Sequence, residues 1–341
     1  MRFPEFSGEW VETELQDIVP NICSGKDRIS NSGEVALYGS TGVIGRTNSA
    51  SYKENIVLVA RVGANAGQMQ IGNAPCGVTD NTLVIDAKEW NYYIYYFLQH
   101  YNLNRLVFGS GQPLITGGML KRIKVRYGCK AERNNITRLL CLIDERIATQ
   151  NKIIEKLQSL IKGIRNNMMI QNQGDYIALQ DIADIYQPKT ILSTDLTEDG
   201  YLVYGANGII GKYHLYNHEK EQICITCRGN TCGTVNYTEP KSWITGNAMV
   251  INTDNFAENV NKRYLFHYLS SINFNSIISG SGQPQIVRQP LAKLKIILPE
   301  LTIQEHIAKC LDTILAKIKN EQTSLQAIQI QKSYLLSQMF I

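Results

Sequence analysis

The sequence predicts an α+β protein built as two homologous halves, each a β-rich region followed by a long helix. Three observations carry that expectation. Short strings recur in the same order, the strand and turn signals repeat with them, and two long helical patterns match position by position. LYGSTGVIGR at 37–46 returns as VYGANGIIGK at 203–212, an offset of 166 from Tyr38 to Tyr204. GVTDNTLVI at 77–85 returns as WITGNAMVI at 243–251, and GSGQP stands at both 109–113 and 280–284. LQDI opens both series, at 15–18 and 179–182. Four matches in one order, with small drifts in offset, describe a duplication with short loop insertions.

Each half follows one plan. Runs rich in β-branched residues predict strands at 56–60 and 83–86 in the first half and at 222–226 and 248–251 in the second, separated by Gly and Asn turns. Aromatic-rich helices follow at 90–101 and 262–272, then the GSGQP loop, a short strand and the long helix. The expected segments are a first β-rich domain at 1–130, a central helix at 131–172, a second β-rich domain at 173–298 and a C-terminal helix at 299–341.

The long helices carry a three-four apolar period. Leu140, Ile143, Ile147, Ile154, Leu157, Ile161, Ile164 and Met168 form one seam, interrupted by Gln150. Leu311, Ile314, Ile318, Leu325, Ile328, Leu335 and Met339 form the other, interrupted by Glu321 and Lys332. Such a stripe, sustained over about four heptads, is a coiled-coil seam. One such helix alone is better read as packing on its own domain. Two matched helices, each leaving its own domain, favour mutual pairing, and they must then run antiparallel. About 34 residues of helix would make a stalk roughly 50 Å long, with a head at each end. The carboxylates Asp144 and Glu145 read as a solvated face of the first helix.

Composition narrows the function. The 341 residues suffice for two domains, and 44% are hydrophobic, an ordinary fraction. A formal net charge of +4 is compatible with DNA or an acidic partner and demands neither. No apolar run is long enough to span a bilayer, the start MRFPEFSGEW lacks a secretory core, and eight scattered cysteines suit a reducing compartment. The expected location is the cytoplasm.

Motifs for catalysis fail one by one. Tyr38–Gly45 and Tyr204–Gly211 share Y-G-x-x-G-x-x-G, which lacks the glycine spacing of a dinucleotide loop, and Ala206 and Tyr213 break a phosphate-loop reading of Gly211–Lys212. These segments read as glycine hairpins, compatible with a close approach to phosphate. Cys224-x-x-Cys227 with Cys232 lacks the second pair of a zinc site, so no metal is expected. No methyltransferase Asn-Pro-Pro-aromatic string and no Gly-x-Ser-x-Gly elbow occurs.

What recurs in both halves is a set of side chains suited to base edges and phosphates. In the first half these are Tyr38, Ser40, Thr41, Arg46, Arg61, Asn65, Thr79, Asn81, Ser110 and Gln112. In the second they are Tyr204, Asn207, Lys212, Arg228, Asn230, Thr231, Thr245, Asn247, Ser281 and Gln283. Arg61 and Arg228 open comparable turns, RVGANAG and RGNTCG. Singly, each reads better as a turn residue. As a duplicated set they point to nucleic acid. Shared features serve jobs common to both halves, whereas Asp80 against Gly246, Ser40-Thr41 against Ala206-Asn207, and Asn65 against Thr231 leave room for two different targets.

Taken together, the opening RFPEFSGEW at 2–10, the paired Y-G-x-x-G-x-x-G turns, the paired GSGQP loops, and the helices holding 136–157 and 303–318 resemble the specificity subunit of type I restriction-modification systems. The resemblance spans the whole chain. It implies two target-recognition domains, each reading one part of a split, asymmetric DNA site, and helices that dock two methyltransferase subunits, with a translocating restriction subunit joining that core. It implies a non-catalytic chain that binds no cofactor itself, with S-adenosylmethionine, ATP and Mg on the partners. The alternatives are a coiled-coil scaffold that does not touch DNA, and a duplicated ligand-binding enzyme, which would need a catalytic cluster.

Overall fold

A computed structural model describes residues 2–19, 21–109, 111–171, 175–206, 208–280 and 282–340. The first half runs β1 (Val11–Glu14), α1 (Leu15–Ile18), β2 (Ile22–Ser24), β3 (Val35–Gly39), β4 (Gly42–Thr47), β5 (Ile56–Ala60), β6 (Met69–Gly72), β7 (Cys76–Val78) and β8 (Thr82–Ile85). It continues through α2 (Asn91–Tyr101), α3 (Gly117–Lys121) and β9 (Lys124–Tyr127) into α4 (Lys130–Gln171). The second half repeats this order. It runs β10 (Asp175–Ala178), β11 (Asp184–Tyr186), β12 (Tyr201–Gly205), β13 (Gly208–Tyr213), β14 (Ile223–Thr226), β15 (Val235–Tyr237), β16 (Trp243–Ile244) and β17 (Ala248–Asn252). Then come α5 (Lys262–Leu269), β18 (Ile278–Ser279), β19 (Gln285–Ile286), α6 (Arg288–Ala292), β20 (Lys295–Leu298) and α7 (Leu301–Met339).

The sheets match as closely as the order. The first half has a four-stranded sheet β2-β8-β5-β6, a three-stranded sheet β4-β3-β7 and the pair β1-β9. The second has β11-β17-β14-β15, β13-β12-β16 and β10-β20. Among the described residues each half has one parallel pairing, and it recurs as β3 with β7 and β12 with β16.

The continuous apolar run of β5 has a simple cause. Its side chains alternate between two cores, because successive residues of a strand face opposite sides of the sheet. Val57 and Val59 join Leu83, Ile85 and the aromatic face of α2, while Ile56 and Leu58 join Tyr38, Val78 and Val84. Each such aliphatic side chain, once buried, stabilises the fold by roughly 1.5–3 kcal/mol. The aromatics of α2 and α5 also fix the strand before each long helix. Tyr93 donates its hydroxyl to the Arg126 carbonyl at 2.7 Å, and Tyr264 donates to the Ile297 carbonyl at 3.0 Å.

The chain divides into two compact units that cut across the expected segments. One holds Met1–Asn151 with Thr323–Ile341, the other Lys152–Gln322. Each long helix is therefore shared. In unit 1 the first half of α4 lies with the end of α7, where Leu140 shares a core with Leu335, Met339 and Phe340. In unit 2 the second half of α4 and the start of α7 meet, and Ile161, Leu315 and Ile318 line one cavity. Both unions have the antiparallel sense. The helices hold 42 and 39 residues, longer than the sequence pattern alone delimits. Every seam residue whose side chain is described is buried or half-buried, from Leu140, Ile143, Ile147, Ile154, Leu157 and Ile161 to Leu311, Ile314, Ile318, Leu325, Ile328 and Leu335. Met168 has its side chain outside the described residues.

The N-terminal RFPEFSGEW segment docks on the start of α4. Arg2 reaches Glu132 through Nε and Nη2, both at 2.7 Å, and the Trp10 indole N–H donates to the same carboxylate at 3.1 Å. A polar joint then ties each head to its helices. In unit 1 the buried Tyr96 donates its hydroxyl to Asp144 at 2.8 Å, and Lys332 pairs with that carboxylate at 2.6 Å. Asp144 is thus part of the joint and not of a solvated face, while Glu145 is exposed. In unit 2 His267 occupies the position of Tyr96 and faces Asp312, which also accepts from Arg263 Nε at 3.0 and 2.9 Å.

Candidate nucleic-acid interface

Three turns that lie far apart in sequence are tied together in each unit, by the same backbone hydrogen bonds. In unit 1, Gly63 N–H donates to the Pro113 carbonyl at 2.9 Å, and Arg61 N–H donates to the Asn81 carbonyl at 3.0 Å. In unit 2, Gly229 N–H donates to Pro284 and Cys227 N–H to Asn247, each at 3.0 Å. These bonds fasten the GSGQP loop and the T-x-N turn to the turn that follows the central strand. The glycine hairpin is tied to the same cluster by side chains. Ser40 donates to the Asn81 carbonyl at 3.0 Å in unit 1, and Thr231 donates to the Ala206 carbonyl at 3.0 Å in unit 2.

The GSGQP loop owes its shape to its first glycine. Gly109 and Gly280 have φ of 101° and 90°, in the left-handed region that side chains resist. A Cβ there would also lie 2.6 Å from the Gln112 carbonyl oxygen or 2.5 Å from that of Gln283. The loop is thus held tightly and presents Gln112 and Gln283 exposed at its tip.

The structure sorts the sequence candidates by burial. Thr41, Asn81 and Gln112 in unit 1, and Arg228, Asn230, Asn247 and Gln283 in unit 2, are exposed. Ser40, Arg61, Asn65, Thr79, Lys212 and Thr231 are half-buried. Arg46 is exposed and donates to the Glu34 carbonyl at 2.6 Å, and Lys212 stands 3.9 Å from Asp199. Tyr38 and Tyr204 are interior residues, contrary to their place among the candidates. Their hydroxyls accept from Asn73 N–H at 3.2 Å and Glu239 N–H at 3.1 Å, and burial raises the Tyr204 pKa. Thr245 is buried as well, its hydroxyl accepting from Asn247 N–H at 3.2 Å. Ser110, Asn207 and Ser281 lie outside the described residues.

The pairing of Arg61 with Arg228 is also corrected. The matched hydrogen bonds put Arg61 opposite Cys227, and the matched bridges put Arg228 opposite Val62. Arg61 Nη1 reaches Ser24 Oγ at 3.2 Å, whereas Cys227 takes a contact from Gln187 Nε2 at 3.1 Å. A long residue on the turn with a short one at the end of the neighbouring strand thus becomes a short one on the turn with a long one just past that strand. Burial pushes the Cys224 thiol up to about 12 and raises that of Cys227, as expected of thiols packed in a core. Among the described residues no three His, Cys, Asp or Glu side chains are placed to hold a metal.

Sequence reasoning missed the exposed aliphatic pairs on the glycine hairpins, Val43–Ile44 and Ile209–Ile210. Ile44 and Ile210 cover Gly39 and Gly205, where a Cβ would come within 2.9 Å of them. The matched spacing was the available signal. It also missed Phe108, half exposed beside Gly109. No helix among the described residues is long and apolar enough to cross a membrane.

Comparison with known proteins gives consistent results. The model of the type I restriction modification DNA specificity domain matches residues 7–167 and again 175–329. A Haemophilus influenzae protein named as a type I restriction enzyme specificity subunit is 29% identical over 150 residues, which are 42% of this chain and 38% of that protein. The specificity subunit of the Methanocaldococcus jannaschii type I restriction enzyme MjaVIII is 23% identical over 330 residues, covering 82% of this chain and 76% of the relative. The match thus spans well under half the length of the first relative and about three quarters of the second. The crystal structure of an S subunit of a type I restriction-modification system from M. genitalium superposes with a TM-score of 0.78 at 17% identity, over 99% of this chain and 98% of that one.

Proposed function

The chain belongs to the type I restriction-modification DNA specificity family, and from that premise we propose that its two heads read the two parts of one split, asymmetric DNA sequence. The observation that carries this reading is the loop cluster found in both units. The same three turns are held by the same backbone bonds, so each unit presents a fixed platform, and the side chains on the two platforms differ. Fixed backbone with variable side chains is what direct readout of base edges requires. A scaffold with inert heads gains nothing from repeating that platform.

On this reading the chain performs no chemistry and binds no cofactor. Methyltransferase subunits dock on its helices, a restriction subunit joins them, and S-adenosylmethionine, ATP and Mg act on those partners. Support for docking comes from aliphatic residues outside the seams, since Leu142, Leu160 and Ile330 stand exposed on α4 and α7. These side chains take no part in the described core and are open to contact with a partner.

The test is an electrophoretic mobility shift on DNA carrying the methylated motif of the source cell. The expected result is sequence-specific binding when the chain is mixed with its modification subunit, and no nuclease, methyltransferase or ATPase turnover by the chain alone. Turnover by the purified chain, or no specific shift in the mixture, contradicts the reading.

A further inference from the structure

We propose that unit 2 carries a binding pocket for a small organic carboxylate, at the joint of α4, α5 and α7. The site is a cavity of about 450 Å³. That lies within the roughly 300–1,000 Å³ usual for small-molecule sites and far exceeds one carboxylate group. Ile161, Leu315 and Ile318 give it apolar walls, Arg165 supplies the cationic part, and Ser270 and Ser271, whose hydroxyls donate to the Phe266 and Tyr268 carbonyls, complete the lining. A ligand that fits this lining has an apolar body and an anionic end.

The argument for an anion rests on Arg165. Its Nη2 lies 3.0 Å from His267 Nδ1, and its Nε is buried without a hydrogen-bond partner among the described residues. An arginine is always a donor, so Nδ1 accepts, and the proton of a neutral imidazole stands on Nε2 facing Asp312 at 2.8 Å. Burial holds His267 in that neutral form, with its pKa lowered to about 4. The Asp312 carboxylate is engaged by Arg263 as well. Arg165 therefore faces a neutral partner, and among the described residues no carboxylate pairs with it. A half-buried guanidinium without a counter-charge favours a bound anion, and its planar fork matches a carboxylate. Lys162 adds a second cation to the lining.

The other unit supplies the comparison. By the offset of 171 that relates the long helices, Ser270 and Ser271 correspond to Gln99 and His100. Leu315 and Ile161 correspond to Asp144 and Lys332, which pair with each other at 2.6 Å, and Arg165 corresponds to Leu336. In unit 1 the same place thus holds longer side chains and an internal ion pair. In unit 2 two serines leave room, Leu315 and Ile161 stand where that ion pair is, and Arg165 replaces a leucine with no carboxylate paired to it among the described residues. The pocket does not depend on DNA reading by the heads, and its test leaves that reading untouched.

The experiment uses fluorine NMR on the full chain with 4-(trifluoromethyl)benzoate and the neutral 4-(trifluoromethyl)benzyl alcohol. The expected result is saturable binding of the benzoate, with the alcohol bound about tenfold or more weakly. Arg165→Leu should weaken benzoate binding by a similar factor, and Ser271→His, which introduces the side chain of unit 1, should block both probes. Circular dichroism checks each fold. Should Arg165→Leu unfold, Arg165→Gln and Ser271→His carry the test. Absence of binding at millimolar benzoate overturns the proposal, as does equal binding of both probes or binding unchanged by the pocket variants.

Discussion

The two units place their head-to-helix joints at equivalent positions and close them with different chemistry. In unit 1 a buried tyrosine donates to Asp144, and Lys332 completes the pair while its ammonium lies 5.5 Å from the Tyr96 ring centre. In unit 2 a buried histidine stands at that place, flanked by Asp312, Arg263 and Arg165. The same exchange occurs one turn into α4 and α7. Arg133 lies buried with its guanidinium 3.3 Å from the Trp90 ring centre, whereas its counterpart Gln304 donates to the Asn259 and Pro299 carbonyls. The backbone frame of the duplication is retained, and the side chains that lock it have diverged. Positions in the joint are constrained as sets: a change at one is matched by changes at its neighbours.

The largest effect expected from breaking this comparison comes from the shared apolar core. Leu140 and Leu311 are equivalent and both fully buried. Replacing either with Asp places an uncompensated charge in a packed seam and should cost about 3–5 kcal/mol. Hydrogen exchange should show loss of protection in unit 1 for Leu140→Asp and in unit 2 for Leu311→Asp. Equal loss throughout the chain in both variants would mean that the units do not act as separate structural bodies.

A smaller effect separates the joints by pH. Burial lowers the His267 pKa from 6.5 to about 4, so the unfolded chain takes up a proton between these values while the folded chain does not. Stability from this group is therefore complete above pH 6.5 and falls as the pH drops toward 4, by up to about 3 kcal/mol. His218 in unit 2 shifts in the same direction through burial, and His100 in unit 1 does so as well. Tyr96 has no charge to gain in this range, because burial raises its pKa. Exchange protection of unit 2 should decline more than that of unit 1 between pH 7 and pH 5, and His267→Gln should reduce the difference. A decline confined to unit 1 would contradict the assignment.

The smallest effect tests the exchanged contact at the loop cluster. Arg61→Cys alone removes the bond to Ser24 and should cost about 1 kcal/mol. Adding Ser24→Gln rebuilds the arrangement of Cys227 with Gln187 and should restore part of that loss. Thermal melts of the single and double variants decide this. Additive losses would show that the two sites are not coupled.

Much of the fold was legible because duplication supplies its own control. The strand at 56–60 was readable as an unbroken apolar run, and the seams as a repeated three-four period. The joints were harder. Tyr96 and Asp144 are 48 positions apart, and nothing local in either residue says that a helix from the far end of the chain will bring Lys332 to them. Asp144 beside Glu145 therefore looked like an ordinary wet surface. The loop residues were legible as a set and not as individuals. Tyr38 and Tyr204 sit beside exposed turn residues in sequence, yet a bulge in the hairpin register at each tyrosine accompanies a side chain turned to the interior. Arg61 and Arg228 look equivalent by eye because both begin glycine turns, but the offset of 166 and the hydrogen-bond register both set them one place apart.

The central claim, two heads with separate targets, is tested most directly by exchanging residues 175–298 for the same region of a relative and mapping the methylated DNA motif in cells. The account predicts that one half of the motif changes and the other stays, with an unread gap between them. Within a head, Gln112→Ala or Gln283→Ala should relax reading at its own half only, by about 1–3 kcal/mol of discrimination if the side chain contacts a base. If it contacts phosphate, binding to all sequences should weaken alike. A swap that altered both halves together, or a motif that proved to be one continuous palindrome, would contradict the account.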